Sequence, residues 1–176
     1  MYTVRGTKKF LDRVGRPVAE PPPPPPPPPP PSTVLGDWYA NVLSWRPQVA
    51  LFVNVTTFVP VLVPLTPAAG AVARFPAAMA DVIGALGVDP RFVESESTEM
   101  SSVVLAKTAS RQVLGVMNEF TFMAEHTIDT GRSDSTDLLG LSVWLANTIV
   151  GPISKEDGYT PIGVLRRVVA TSMPDG

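Results

Sequence analysis

Cysteine is absent from the 176 residues, and histidine occurs once, at position 126. Without thiols the chain forms no disulfide, offers no thiolate nucleophile and builds no Cys-based zinc or iron-sulfur site. A single imidazole leaves too few donors for a conventional transition-metal centre, so neither a metal nor a cofactor is expected. The chain also lacks GxSxG, so a Ser-His-Asp arrangement would have to use His126 without a nucleophile elbow. The phosphate-cradling patterns GxxxxGK[ST] and GxGxxG are missing too. No long apolar run is present: the most apolar stretch, Val49 to Thr66, is broken by Asn54, Thr56, Thr57, Pro60 and Pro64. Its residue types favour two strands over a membrane span. The opening MYTVRGTKKFLDRVG carries charges throughout and no apolar h-region, so no secretory signal is indicated and a cytoplasmic location is expected.

Charged residues make up only 17% of the chain, with a net charge of -2, and their distribution is uneven. Residues 1–20 hold five basic side chains against two acidic ones, whereas residues 32–176 hold nine against fourteen. An acidic body works against binding a polyphosphate backbone, which needs a positive stripe on one face. Nucleic-acid binding through the basic first strand and helix is therefore a minor reading. A hydrophobic share of 44%, spread over the whole length after Val34, is that of one globular domain with its own core.

What the chain has in excess is proline, eleven of them consecutively from Pro21 to Pro31. Proline fixes φ and removes the backbone donor, so the run suits extended polyproline II rather than helix or sheet. Residues 1–20 read as the first strand and helix, with Thr7 as N-cap and Gly15 as stop. Residues 21–33 read as a polyproline insertion, 34–152 as the main body and 153–176 as a tail with a short helix near Ile162 to Ala170. Within the body, STVLGDWYANVLSW reads as a helix ended by Pro47. QVALFVNV and FVPVLVPL read as an antiparallel hairpin through Thr56 and Thr57, its second strand pushed to a sheet edge by Pro60 and Pro64. A core helix is expected to start at Pro76 and stop at Gly87. Val103 to Lys107 reads as a strand, and SRQVLGVMNEFTFMAEHTID as the clearest amphipathic helix. DSTDLLGLSVWLANTIV reads as a helix apolar around most of its circumference and hence buried. The fold class expected is α+β, a small, mainly antiparallel sheet covered by four or five helices.

The stretches VRGTKKFLDRVG, LGDWYANVL, VALFVNVTTFVPVLVP and KTASRQVLGVMNEF together resemble a family of small uncharacterised bacterial proteins, a domain of unknown function. The resemblance spans most of Val4 to about Ala146. It implies a compact bacterial α+β domain with no established activity. Family members pass from the first helix to LGDWYAN by a short connection, and here the proline run departs from that pattern. The run then reads as an insertion at a surface loop, where added length is tolerated. The alternative is a ligand for an SH3- or WW-like groove.

The strongest candidate surface is the polar stripe Arg111, Gly115 and Asn118 on one helix: a cation, bare backbone and an amide facing one way. Its structural alternative is an ion pair of Arg111 with a neighbour such as Asp37, and a helix packed on Gly115. Asp37 and Asn41, four apart with Trp38 between them, would line a polar pocket with an aromatic wall. Together Asp37, Trp38, Asn41, Arg111 and Asn118 define a binding or interaction module for a protein or small-molecule partner, with an accessory or regulatory role. The competing reading is a small hydrolase or transferase that pairs Glu96 or Glu99 for acid-base work, with Arg111 as an anion clamp. Oligomeric state stays open at this level.

Overall fold

A computed structural model describes residues 1–15 and 30–173. Along the chain run β1 (Tyr2–Gly6), α1 (Lys8–Val14), β2 (Trp38–Leu43), β3 (Val49–Asn54) and β4 (Pro60–Pro64). A 3-10 turn (Ala68–Gly70) leads into α2 (Ala71–Ala85), followed by α3 (Pro90–Glu99), β5 (Val103–Lys107), α4 (Arg111–Asp129), α5 (Leu138–Ala146) and α6 (Pro161–Ser172). The strands form one mixed sheet in the order β4-β3-β2-β1-β5. β2, β3 and β4 pair antiparallel, while β1 lies parallel to both β2 and β5. The α+β class is as expected, with six α-helices among the described residues. The proline run lies almost wholly outside those residues, so the spacer reading of it gains no structural description.

Residues of β2 show why the helix expected over 32–45 is instead a strand at Trp38–Leu43. Trp38, Ala40 and Val42 face one core with Tyr2, Val4, Phe52 and Phe75, whereas Tyr39 and Leu43 face the other with Leu51, Val116 and Phe120. A two-sided burial of consecutive residues needs period two. The stretch is apolar at nearly every position, so helical spacing could be counted in it without being its structure. Backbone pairing on both sides then decides the outcome, because β1 and β3 each need β2 as a neighbour.

The helix expected from Pro76 begins five residues earlier, at Ala71, with Pro76 inside it. Its stripe of Phe75, Met79, Val82 and Ile83 is buried against the first core. The helical stretch Ala68–Ala85 is long and apolar enough to cross a membrane by length and composition, yet this stripe is packed against the sheet. α1 shares that face, and α4 covers the opposite one with Val113, Val116, Met117, Phe120 and Ala124. α5 is not buried all round: Leu141, Ser142 and Leu145 face inward while Leu139 and Trp144 are exposed. α5 and α6 each contribute to both cores, through Leu145 and Ala146 and through Val164 and Leu165. Residues 153–173 of the expected tail are thus part of the packed domain.

Candidate functional site

The three parallel strands give the sheet two chemically different ends. At their C-terminal end, β1 stops at Gly6 and β5 at Lys107, which are register partners. From these two adjacent points the chain leaves in opposite directions, α1 packing on one face and α4 on the other. Such a fork opens a crevice between the departing segments, the usual place for a ligand in a sheet with parallel strands. The cleft here measures about 400 Å³ and is lined by Gly6, Lys8, Leu11, Asp12, Lys107 and Thr108.

Local chemistry fixes the walls of this cleft. Thr7 caps α1 by accepting the Phe10 N–H, and its hydroxyl donates to Asn41 Oδ1 at 2.8 Å. On the other wall the Tyr39 hydroxyl accepts the N–H groups of Ala109 and Ser110 at 3.0 and 2.7 Å, pinning the turn into α4. Ser110 then caps that helix through the Val113 N–H. Gly6 is required for packing: a Cβ there would meet the side chains of Phe10 and Leu11 at 2.7–2.8 Å. Lys8 is exposed and contacts Asp12 at 2.5 Å, while exposed Lys107 has no ion-pair partner among the described residues. The cleft therefore carries two ammonium groups against one carboxylate.

At the opposite end of the sheet the polar groups are structural. Glu96 is 2% exposed, and its carboxylate accepts the Val34 N–H at 2.9 Å and the Leu35 N–H at 2.8 Å. Burial pushes its pKa up, opposed by those two hydrogen bonds. Glu99, one turn on, is exposed, and its backbone carbonyl receives the Met1 amine. Arg111 follows the far end of β5, whereas Glu96 and Glu99 sit before its start. The catalytic grouping of Glu96 or Glu99 with Arg111 is therefore not brought together: a five-residue strand of roughly 17 Å separates them. Among the described residues no three His, Asp or Glu side chains converge on a metal-sized site.

The other expected site residues are also dispersed. Asp37 precedes β2 and pairs with Arg5 at 3.4 Å, both partly buried, so its partner is not Arg111. Trp38 is 1% exposed, edge-on to Phe75 at 4.9 Å in the first core, and is no pocket wall. Asn41 points to the opposite face, with its Oδ1 taken by Thr7 and by the Val42 N–H. Asp37 and Asn41 do share that face, because i and i+4 also coincide at period two, but lie roughly 13 Å apart along an extended chain. Arg111 and Asn118 are exposed on α4, and a Cβ at Gly115 would meet nothing within 4 Å. Among the described residues that stripe is an open face with no helix packed on it. Arg111 stands three residues past Thr108, beside the cleft without lining it.

Sequence reasoning missed Lys8 and Lys107 as a pair, because parallel pairing of β1 with β5 is what joins residues a hundred positions apart. It missed Asn54 as well. That side chain is wholly buried, donates to the carbonyls of Leu35 and Asp37, and accepts from Thr56 N–H, Thr57 N–H and the Thr57 hydroxyl. An Asn followed by Thr-Thr between two apolar runs is a turn signal that could have revealed it.

Fold and cleft together define a single-domain α+β protein with a parallel-strand fork. Residues 3–162 match the model of a domain of unknown function, DUF6933, and the chain belongs to that family. No curated protein and no solved structure matches it.

Proposed function

We propose that the chain is a binding module whose ligand carries a carboxylate or phosphate, held in the cleft at the fork of β1 and β5. The observation that carries this reading is the placement of Lys8 and Lys107 on one cleft at the C-terminal ends of adjacent parallel strands. Arg111 adds a third cation at the first turn of α4, whose N-terminal dipole favours the same sign of ligand. Asn118 extends that polar stripe, and Asn41 braces the α1 wall through Thr7. Asp37 and Trp38 belong to the scaffold in this reading.

A binding role fits better than catalysis because Glu96, the buried acid a hydrolase could use, is occupied by two backbone donors. The module is accessory or regulatory, working in the bacterial cytoplasm. Titrating the isotope-labelled protein with inorganic phosphate and with acetate tests it. The amide signals of Gly6, Lys8, Lys107 and Thr108 should move together and saturate. Shifts scattered over the surface, or none, would refute the reading.

A further inference from the structure

The two edges of the sheet differ in a way that folding alone does not require. On β4 the residues whose backbone groups point away from β3 are Pro60, Leu62 and Pro64. Two of these have no N–H, and the third donates its N–H to Ser142 Oγ of α5 at 2.9 Å. That edge is closed at every donor. On β5 the Tyr2 N–H bonds to the Ser102 carbonyl. Alternation along a parallel ladder then turns Val104 and Ala106 toward β1 and leaves Val103, Leu105 and Lys107 pointing outward. The outward N–H groups have no hydrogen-bond partner among the described residues, and β1 is the only described element in extensive contact with β5. Val103 and Lys107 are exposed.

We infer that β5 is a dimerisation edge that pairs antiparallel with β5 of a second copy of this chain, extending the sheet across a two-fold axis. The five-residue strand is symmetric about Leu105, so one register satisfies all of its outward groups. Val103 meets Lys107 of the second copy, Leu105 meets its own symmetry mate, and Lys107 meets Val103. All three are hydrogen-bonded pairs, each exchanging two bonds. An antiparallel neighbour keeps directly opposed side chains on one face.

Charge complementarity selects this occupant. Lys107 and the exposed carboxylate of Glu99 form no ion pair within the chain among the described residues, and they stand near opposite ends of β5. Both lie on the α2 and α3 side of the sheet, since Lys107 follows the face of Val103 and Leu105. Antiparallel self-pairing brings Lys107 of each copy to the Glu99-bearing end of the other, twice by symmetry. A cleft of about 450 Å³ lies at that end, with Val72, Pro76, Met100 and Val103 among its lining beside Tyr2 and Ser101, and its apolar part suits the aliphatic stem of the incoming lysine. With β4 closed, association stops at two copies and does not propagate.

Sedimentation equilibrium of the full chain tests this, and its Val103→Lys arm is independent of the anion cleft, which Val103 does not line; Lys107 does line that cleft, so the charge-swap arm is read by association alone. The wild type is expected to be a dimer at ~100 µM, with Val103→Lys weakening association about tenfold or more by setting like charges opposite each other twice. Val103→Lys should retain the wild-type circular dichroism and a cooperative melt, and its Tm should lose the rise with protein concentration that dimerisation gives the wild type. Glu99→Lys should also weaken the dimer, and Glu99→Lys combined with Lys107→Glu should restore it. A monomeric wild type, assemblies larger than two, or a dimer indifferent to Val103→Lys would each overturn the inference.

Discussion

Glu96 and Leu35 are 61 residues apart in sequence and joined by a 2.8 Å hydrogen bond, in which the buried carboxylate accepts the Leu35 backbone N–H. The same carboxylate takes the Val34 N–H, so α3 holds the segment that emerges from the proline run and leads it into β2. Glu96→Gln replaces one acceptor by a donor facing an N–H and should cost about 1–3 kcal/mol, with Glu96→Ala costing at least as much. Urea unfolding of the two variants checks it.

The same group sets a pH dependence. Burial holds the folded-state pKa of Glu96 above its unfolded value. Between the two values the native state binds more protons than the unfolded state, so this group's contribution to stability falls as pH rises through that window. It is most favourable below the unfolded pKa of about 4.3 and levels off above the folded one. Glu96→Gln should remove that downward slope. Unfolding free energies of wild type and variant over the weakly acidic range read this directly, and parallel profiles would contradict it.

Asn54 is the second polar anchor. Asn54→Ala removes two donated and three accepted hydrogen bonds at a wholly buried site, and leaves the Thr57 N–H without its partner. A loss of about 3 kcal/mol or more is expected, visible as a large fall in Tm.

Trp38 and Arg111 separate scaffold from surface. Trp38→Ala empties a site 1% exposed between Phe75 and the sheet, and should cost about 3–5 kcal/mol. Arg111→Ala removes an exposed side chain with no ion pair among the described residues, and should change stability by no more than ~0.5 kcal/mol. Thermal melts of both variants suffice. A collapsed Arg111→Ala fold would place that residue in the structure's framework.

Much of this architecture was legible in local chemistry. The Thr7 cap, the Gly15 and Gly87 stops, the hairpin about Thr56 and Thr57 and the periodic face of α4 all follow from spacing and turn residues. What was not legible depends on long-range pairing. β2 reads as a helix until β1 and β3 are seen to flank it, and α3 has no expected counterpart in the sequence reading although Asp89-Pro90 is a cap followed by a first-turn proline. Helical periodicity puts Arg111 and Asn118 on one face of α4, where both are exposed, whereas Trp38 could only be assigned to the core once β2 was a strand. The cleft's lysines come from elements whose adjacency no local pattern encodes.

Calorimetric titration of inorganic phosphate into wild type, Lys107→Ala and Arg111→Ala reads the cleft directly. Saturable one-site binding to wild type is expected, and about tenfold weaker binding to Lys107→Ala, the loss of one charge-assisted hydrogen bond. Arg111→Ala, beside the cleft, should lose less. No saturable heat with wild type, or equal affinity in Lys107→Ala, would contradict an anion site at the fork of β1 and β5.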